Sequence, residues 1–493
     1  MTSPRAQSAI GSTETRAILE AQDAGYEKGL GNRQIQMIAI GGAIGTGLLM
    51  GAGKRMGLAG PSLAIVYAIC GIFAFFILRA LGELAMYRRS SGSFVSYARE
   101  FLGEKASYVA GWLYFLNWAM AGIVDITAIA LYFKFWPMFT DVPQWLLALF
   151  ALGVISMMNL TSVKYFGEME FWFSLIKVVT ISAFLVVGVV ILLIGLHVMG
   201  ARPGPHLIAE NGGIFPKGIG GTLAIVQGVV FAYAGIELIG TAAGEAKDAE
   251  KIMPRAINSV IARIALFYVG SVILLSLLLP YTAYHAGTSP FVTVFASLHV
   301  AYIAGIINFV VLTAALSSLN SGLYSTGRVL RSLAMGGSAP RALSVMSRSG
   351  VPYGGLLLTI SLYLIGVFLN FVIPSEVFEM AISISAIGIV STWSFIIVCQ
   401  MKLRQAIHRG EITPVKFKMP FAPVSSWLTL AFLAIVFYLM IFASGQFYIF
   451  LVGLPLLAIA LVGGWYLTKR STIHSDMPTV IPSIRLTDDF LNR

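Results

Sequence analysis

Apolar runs about as long as a bilayer is thick recur along this chain, and they constrain its fold more than any other feature. A hydrocarbon core about 30 Å thick takes about 20 apolar residues of helix. On that measure twelve candidate spans fall at 34–54, 61–85, 106–135, 143–162, 169–197, 220–244, 258–281, 301–327, 353–373, 376–400, 424–443 and 447–468. Only 11% of the 493 residues are charged, whereas a water-facing domain carries about 25%. The connections at 86–105, 198–219, 282–300, 328–352 and 401–423 are too short for a second globular domain and read as loops or surface helices. The expected fold class is an all-α multi-pass membrane protein with twelve transmembrane helices. Residues 1–33 read as a tail, because the first 30 contain no apolar core of the kind a cleaved leader needs. Cys70 and Cys399 sit in apolar runs and suggest neither a disulfide framework nor a metal centre.

Orientation follows from the 33 lysines and arginines. Lys54, Arg55, Arg202 and Lys217 fall between spans on one side, and Arg79, Lys134, Lys177 and Arg263 fall inside spans. All the others fall in the tails or in connections on the opposite side, which is therefore expected to be cytoplasmic, with both termini there. The net charge of +11 thus reflects topology and contact with anionic lipid. A nucleic-acid partner is not expected, since the basic residues are spread over separate loops.

Two spans are interrupted by glycine. Residues 38–53 read IAIGGAIGTGLLMGAG, and 223–246 read LAIVQGVVFAYAGIELIGTAAGEA with Glu237 in mid-span. A glycine inside a helix costs about 1 kcal/mol relative to alanine. Gly41/Gly45 and Gly47/Gly51 also fit the small-residue spacing of close helix packing, so for the first span alone packing and unwinding both stand. The second interrupted span, with its carboxylate, favours a site. Each interrupted span opens a group of five, about 190 residues apart. An odd number of spans per group inverts the second copy relative to the first. Paired broken helices in such repeats mark transporter binding sites. A half-helix beginning after a break presents free N–H groups to an anion, and one ending at a break presents carbonyls to a cation. Together they suit a zwitterion. GGAIGTG is not a nucleotide-binding loop, because no strand–helix unit surrounds it.

Beyond these two spans, GPSLAIVYAICGIFAFFILRALGEL, SGSFVSYAREFLGEKASYVAGWLYFLNWAM, KYFGEMEFWFSLIK, FAYAGIELIGTAAGEAKDAEKIMPRAINSV and LTAALSSLNSGLYSTGRVL follow in order. Together with the first glycine-rich stretch they resemble the bacterial amino acid permeases of the amino acid–polyamine–cation superfamily, over roughly residues 25–470. The resemblance implies a five-plus-five inverted repeat with discontinuous helices 1 and 6, its halves at 34–197 and 220–400, followed by two more helices at 424–468 and a cytoplasmic tail at 469–493. It also implies import of an amino acid with a proton across the bacterial cytoplasmic membrane. Within that family, the likeness carried by SGSFVSYAREFLGEKASYVAGW, GIVDITAIALY and LRSLAMGGSAP implies a small neutral polar substrate, asparagine. The motif puts carboxylate binding on Ile44, Gly45, Thr46 and Gly47. It puts the amino-group carbonyls near Phe231, Ala232 and Ala234, with Tyr233 and Ile236 beside them, Tyr233 as a gate. No cofactor is implied.

Ionisable residues inside a membrane are functional candidates by default. Glu237 is expected in proton coupling, its alternative being a structural bond to unwound backbone. Lys177 is a switchable cation in the family pattern, with Ser317 and Ser318 as partners; otherwise it snorkels to an interface marked by Glu168 and Glu170. Asp125 either reads the substrate side chain or joins two helices. Arg79 and Glu83, four apart, read as a structural pair. Ser317, Asn320 and Ser321 either line the path or join helices, and Ser383 and Ser385 are expected to line the tenth-helix side of the cavity. Trp112, Trp118 and Trp172 read as packing or interfacial belt. A channel would need a filter loop or rings of like charge, and an enzyme would need a nucleophile elbow or paired metal ligands; the sequence offers neither. An amino acid sensor, or exchange in place of symport, stays open.

Overall fold

A computed structural model describes residue 37 and residues 44–88, 90, 93–160, 163–200, 202–240, 249–298, 301–347 and 350–473; for 163–166, 249–252, 301 and 469–473 the description is of backbone only. Among the described residues the chain is helical and has no strand. Two helical pieces, α1 (Thr46–Leu49) and α2 (Gly51–Ala59), precede the long α3 (Leu63–Tyr87). A short, mostly buried helix α4 (Ser93–Leu102) leads into α5 (Glu104–Phe133), α6 (Gln144–Asn159) and α7 (Val163–Ile194). The second half opens with α8 (Gly218–Ala224) and α9 (Val226–Ala232). Then come α10 (Ala249–Asn258), α11 (Val260–Arg263), a π-helical stretch Ile264–Gly270, α12 (Ser271–Leu278) and α13 (Pro290–Ala296). The last part holds α14 (Ala301–Met335), α15 (Tyr353–Val372), α16 (Val377–His408), α17 (Val424–Phe442) and α18 (Phe447–Ile473).

Nine described helices are long and apolar enough to cross a membrane. The fourth and sixth expected spans appear as shorter apolar helices, Gln144–Asn159 and Gly218–Ala232. The first lies partly outside the described residues, Gly41 and Gly42 included. Helices α5, α14 and α16 form the centre, with α5 packed on both of the others. Large apolar side chains such as Leu193, Ile194 and Ile459 stay exposed on the outer helices, as lipid-facing positions must. The chain is a multi-pass membrane protein.

Three local readings change. The seventh span is not one regular helix; its π-helical turn carries Tyr268, and such turns recur at functional sites. Arg79 and Glu83 do not pair. Glu83, 1% exposed, accepts from Arg404 Nε at 2.8 Å, Gln400 Nε2 at 3.0 Å and the Met419 backbone N–H at 2.8 Å. Arg79 donates to Asn258 Oδ1 at 2.6 Å and to the Lys418 carbonyl, and lies over the Phe417 ring. A buried carboxylate needs several donors, and neighbouring elements supply them better than one flexible arginine on its own helix. The third change concerns Arg55, expected in a loop; it lies within α2 and is buried.

Candidate substrate site at the two helix breaks

At the first break Gly45 is extended, with φ −124 and ψ −168, and Thr46 begins the helix. The Gly45 carbonyl accepts from the N–H groups of Leu48 and Leu49, each at 3.2 Å. The N–H groups of Thr46 and Gly47 belong to a first turn, which has no carbonyl behind it within the helix. At the second break α9 ends at Ala232, and residues Tyr233 to Glu237 run as turns before helical backbone resumes at Leu238. Gly235 takes φ +92 there, a conformation that costs other residues energy. The Phe231 carbonyl accepts from Ala234 N–H at 2.9 Å, and the Ala232 carbonyl accepts from the Tyr268 hydroxyl at 3.2 Å. Each carbonyl keeps a second lone pair.

The breaks touch. A methyl added at Gly47 would lie 2.6 Å from Ala232 Cα and 3.0 Å from Phe231 Cδ1, so only glycine fits. Ile44, Tyr233 and Ile236 line a cavity of about 20 Å³ with Tyr268 and Arg263. That admits a water-sized group and no amino acid. Tyr233 stacks on Tyr268 with ring centres 4.7 Å apart, and its hydroxyl donates to the Tyr67 carbonyl at 2.8 Å. Ala234 is half-buried beside them.

Asp125 of α5 reaches the start of α1: Thr46 Oγ1 donates to its Oδ1 at 2.5 Å and Ser318 lies beside the carboxylate, while Oδ2 has no partner of normal geometry among the described residues. Lys177 is 1% exposed and donates to Ser317 Oγ at 2.9 Å, so it does not snorkel. Ser317 in turn donates to Glu170 Oε1 at 2.7 Å, and Ser174 donates to the same oxygen at 3.3 Å. Glu170 is 0% exposed. It is a buried partner in this chain of bonds and no marker of an interface. The signal for it was present, since Glu170, Ser174 and Lys177 lie at i, i+4 and i+7 on one face of α7. Ser318 Oγ lies 3.7 Å from where a methyl on Gly45 would sit. Glu237 is 1% exposed; its carboxylate lies near Trp393 and the backbone of Gly235 and Glu237, and neither oxygen makes a hydrogen bond of normal geometry among the described residues.

Other candidates join helices. Asn320 accepts from Asn159 at 2.7 Å, and Ser385 donates to Asn117 Oδ1 at 2.7 Å. Ser383 accepts from Gln227 at 2.7 Å and shares its one hydroxyl proton between the Glu379 carbonyl, at 2.8 Å, and Gln446 Oε1. The Ser321 hydroxyl is buried without a partner. Trp112 donates to the Ser338 carbonyl, Trp118 is buried, and Trp172 is exposed.

Residues 34–475 match the family described as amino acid permease. The chain is 60% identical over 470 residues to the L-asparagine permease of Salmonella typhimurium, covering 95% of each chain. It is 60% identical to the L-asparagine permease of Escherichia coli over 94% of each. It is 53% identical to that of Streptomyces coelicolor, over 92% of this chain and 93% of the relative. A helix that begins at Thr46 and one that ends at Ala232 meet at a buried polar centre, and the family match covers most of the sequence: the chain belongs to the amino acid permease family of the amino acid–polyamine–cation superfamily, whose members are transporters and not enzymes.

Proposed function

We propose that this protein imports a neutral polar amino acid, L-asparagine, by proton symport across the bacterial inner membrane. The observation that carries the reading is the contact of Gly47 with Ala232. It brings free N–H groups at one break against carbonyls at the other, the two halves of a zwitterion site. The substrate carboxylate binds Ile44, Gly45, Thr46 and Gly47; its ammonium binds the carbonyls of Phe231, Ala232 and Ala234, with Tyr233 and Ile236 closing over it. Asp125 and Ser317 stand beside the carboxylate end. The names of the relatives support asparagine.

Lys177 and Glu237 are the proton-coupling groups of this reading. An isolated charge in the interior costs several kcal/mol, and a proton or a bound cation relieves that cost at Glu237. The Ser317 bond holds Lys177 against α14 in one state and releases it in the other. The reading includes twelve spans, both termini in the cytoplasm, inverted repeats at 34–197 and 220–400, and rocking of helices 1, 2, 6 and 7 against the rest.

Uptake of labelled asparagine into proteoliposomes under an imposed proton gradient, with the other amino acids as competitors, tests it. Accumulation that collapses with the gradient and is displaced only by asparagine is the expected result. Displacement by a different amino acid would replace the substrate and keep the mechanism, and gradient-independent exchange would remove the proton.

A further inference from the structure

Arg55 has no role in the site just described, yet the fold makes room for it at some cost. Its side chain is 4% exposed and Nη1 has no hydrogen-bond partner among the described residues. A methyl at Gly228 of α9 would sit 1.7 Å from Arg55 Nε, and one at Gly51 of α2 would sit 2.1 Å from Nη1. Both glycines are therefore needed to seat the guanidinium. Gly51 lies four residues after Gly47, and Gly228 lies four before Ala232. The guanidinium thus lies one helical turn, about 5 Å, beyond the Gly47–Ala232 contact, toward the Ala59 end of α2 and the Val226 start of α9. Next to Gly228 in sequence, Gln227 donates through Nε2 to Ser383, and its Oε1 is buried without a donor.

A buried guanidinium with an unfilled donor is costly, and planar guanidinium matches carboxylate. We propose that Arg55 forms a second carboxylate-binding station, which holds an incoming amino acid one turn before the helix breaks, with the Gln227 carbonyl oxygen available to its ammonium. This rests on the transport reading above and adds a station to the path. The substrate carboxylate would pass from Arg55 to the Gly45–Gly47 backbone as α2 and α9 rock closed.

The test uses the full-length protein reconstituted in one orientation, with labelled asparagine supplied from either face. Arg55→Gln is expected to raise the half-saturating concentration about tenfold for entry from the Arg55 side only. Arg55→Lys should restore most of the difference. Gly228→Ala keeps the charge but displaces it, and should reproduce the one-sided loss even where Arg55→Gln folds poorly. Asparaginamide, which lacks the carboxylate, should inhibit wild type and Arg55→Gln equally. Equal loss from both faces would make Arg55 structural and overturn the proposal, as would no loss in either variant. If wild-type protein moves no amino acid at all, the transport reading falls and takes the station with it; normal wild-type transport with unchanged variants removes the station alone.

Discussion

Gly45 and Gly47 look alike in the sequence, and the space around them separates them. A methyl at position 47 meets Ala232 Cα at 2.6 Å, while at position 45 it meets Ser318 Oγ at 3.7 Å, an ordinary contact. Backbone cannot give way as a side chain can. Gly47→Ala is expected to abolish uptake and to destabilise by about 1–3 kcal/mol, whereas Gly45→Ala should fold normally and lose affinity only. Thermal unfolding of purified variants beside substrate titration separates the two, and equal stability loss would place the helix contact elsewhere. Ser317 carries the second prediction at this scale. Its hydroxyl links Lys177 to Glu170, so Ser317→Ala leaves both partners one bond short, at about 1–3 kcal/mol. Uptake should fall and its pH profile should move, as it should for Glu170→Gln. An unchanged pH profile in both would detach this chain of bonds from coupling.

At the level of helices, Glu83 fastens α3 to α16 and to the segment before α17 by accepting from Arg404, Gln400 and Met419. Removing one partner of a buried ion pair costs about 3–5 kcal/mol, so Glu83→Ala should lower the unfolding temperature while Arg79→Ala, on the same helix, should lower it much less. If the two behaved alike, the expected Arg79–Glu83 pair would be reinstated. The element scale is also where the sequence was most and least informative. The second glycine-rich span carries the turn at Tyr233–Glu237, because unwound backbone needs residues free of side-chain penalties, while Gly41 and Gly42 of the first lie outside the described residues. Asp125 stood out as a carboxylate in mid-span and the family pattern named Lys177 and Ser317; the structure brings Thr46 to the first and joins the other two. What escaped was set by tertiary contact: Arg404 outcompeting Arg79, and the π-helical turn that places Tyr268 against Tyr233. Arg55 escaped for a simpler reason. Counting apolar residues ended the first span at 54, whereas α2 runs on to Ala59.

At the scale of the whole molecule, two polar contacts are among those that seal α2 and α9 against the central helices. Gln227 of α9 donates to Ser383 of α16, and Lys54 of α2 pairs with Glu379 of α16 at 3.5 Å. Both cross from the broken helices to a helix of the central packing. The Lys54–Glu379 pair is partly exposed on both sides, and such pairs are worth about 1 kcal/mol or less. A seal this weak suits an element that must open in each cycle. Ser383 itself is 1% exposed, so a cysteine there should resist a membrane-impermeant maleimide in the closed state and react when α2 and α9 swing away. The native Cys70 and Cys399 are both buried and should contribute little background. Saturating asparagine is expected to change the labelling rate of Ser383→Cys severalfold, and Glu379→Gln should raise the rate without substrate. A rate insensitive to both would mean that the path opens on another face, and that rocking of the broken helices against α16 is not how this protein alternates its access.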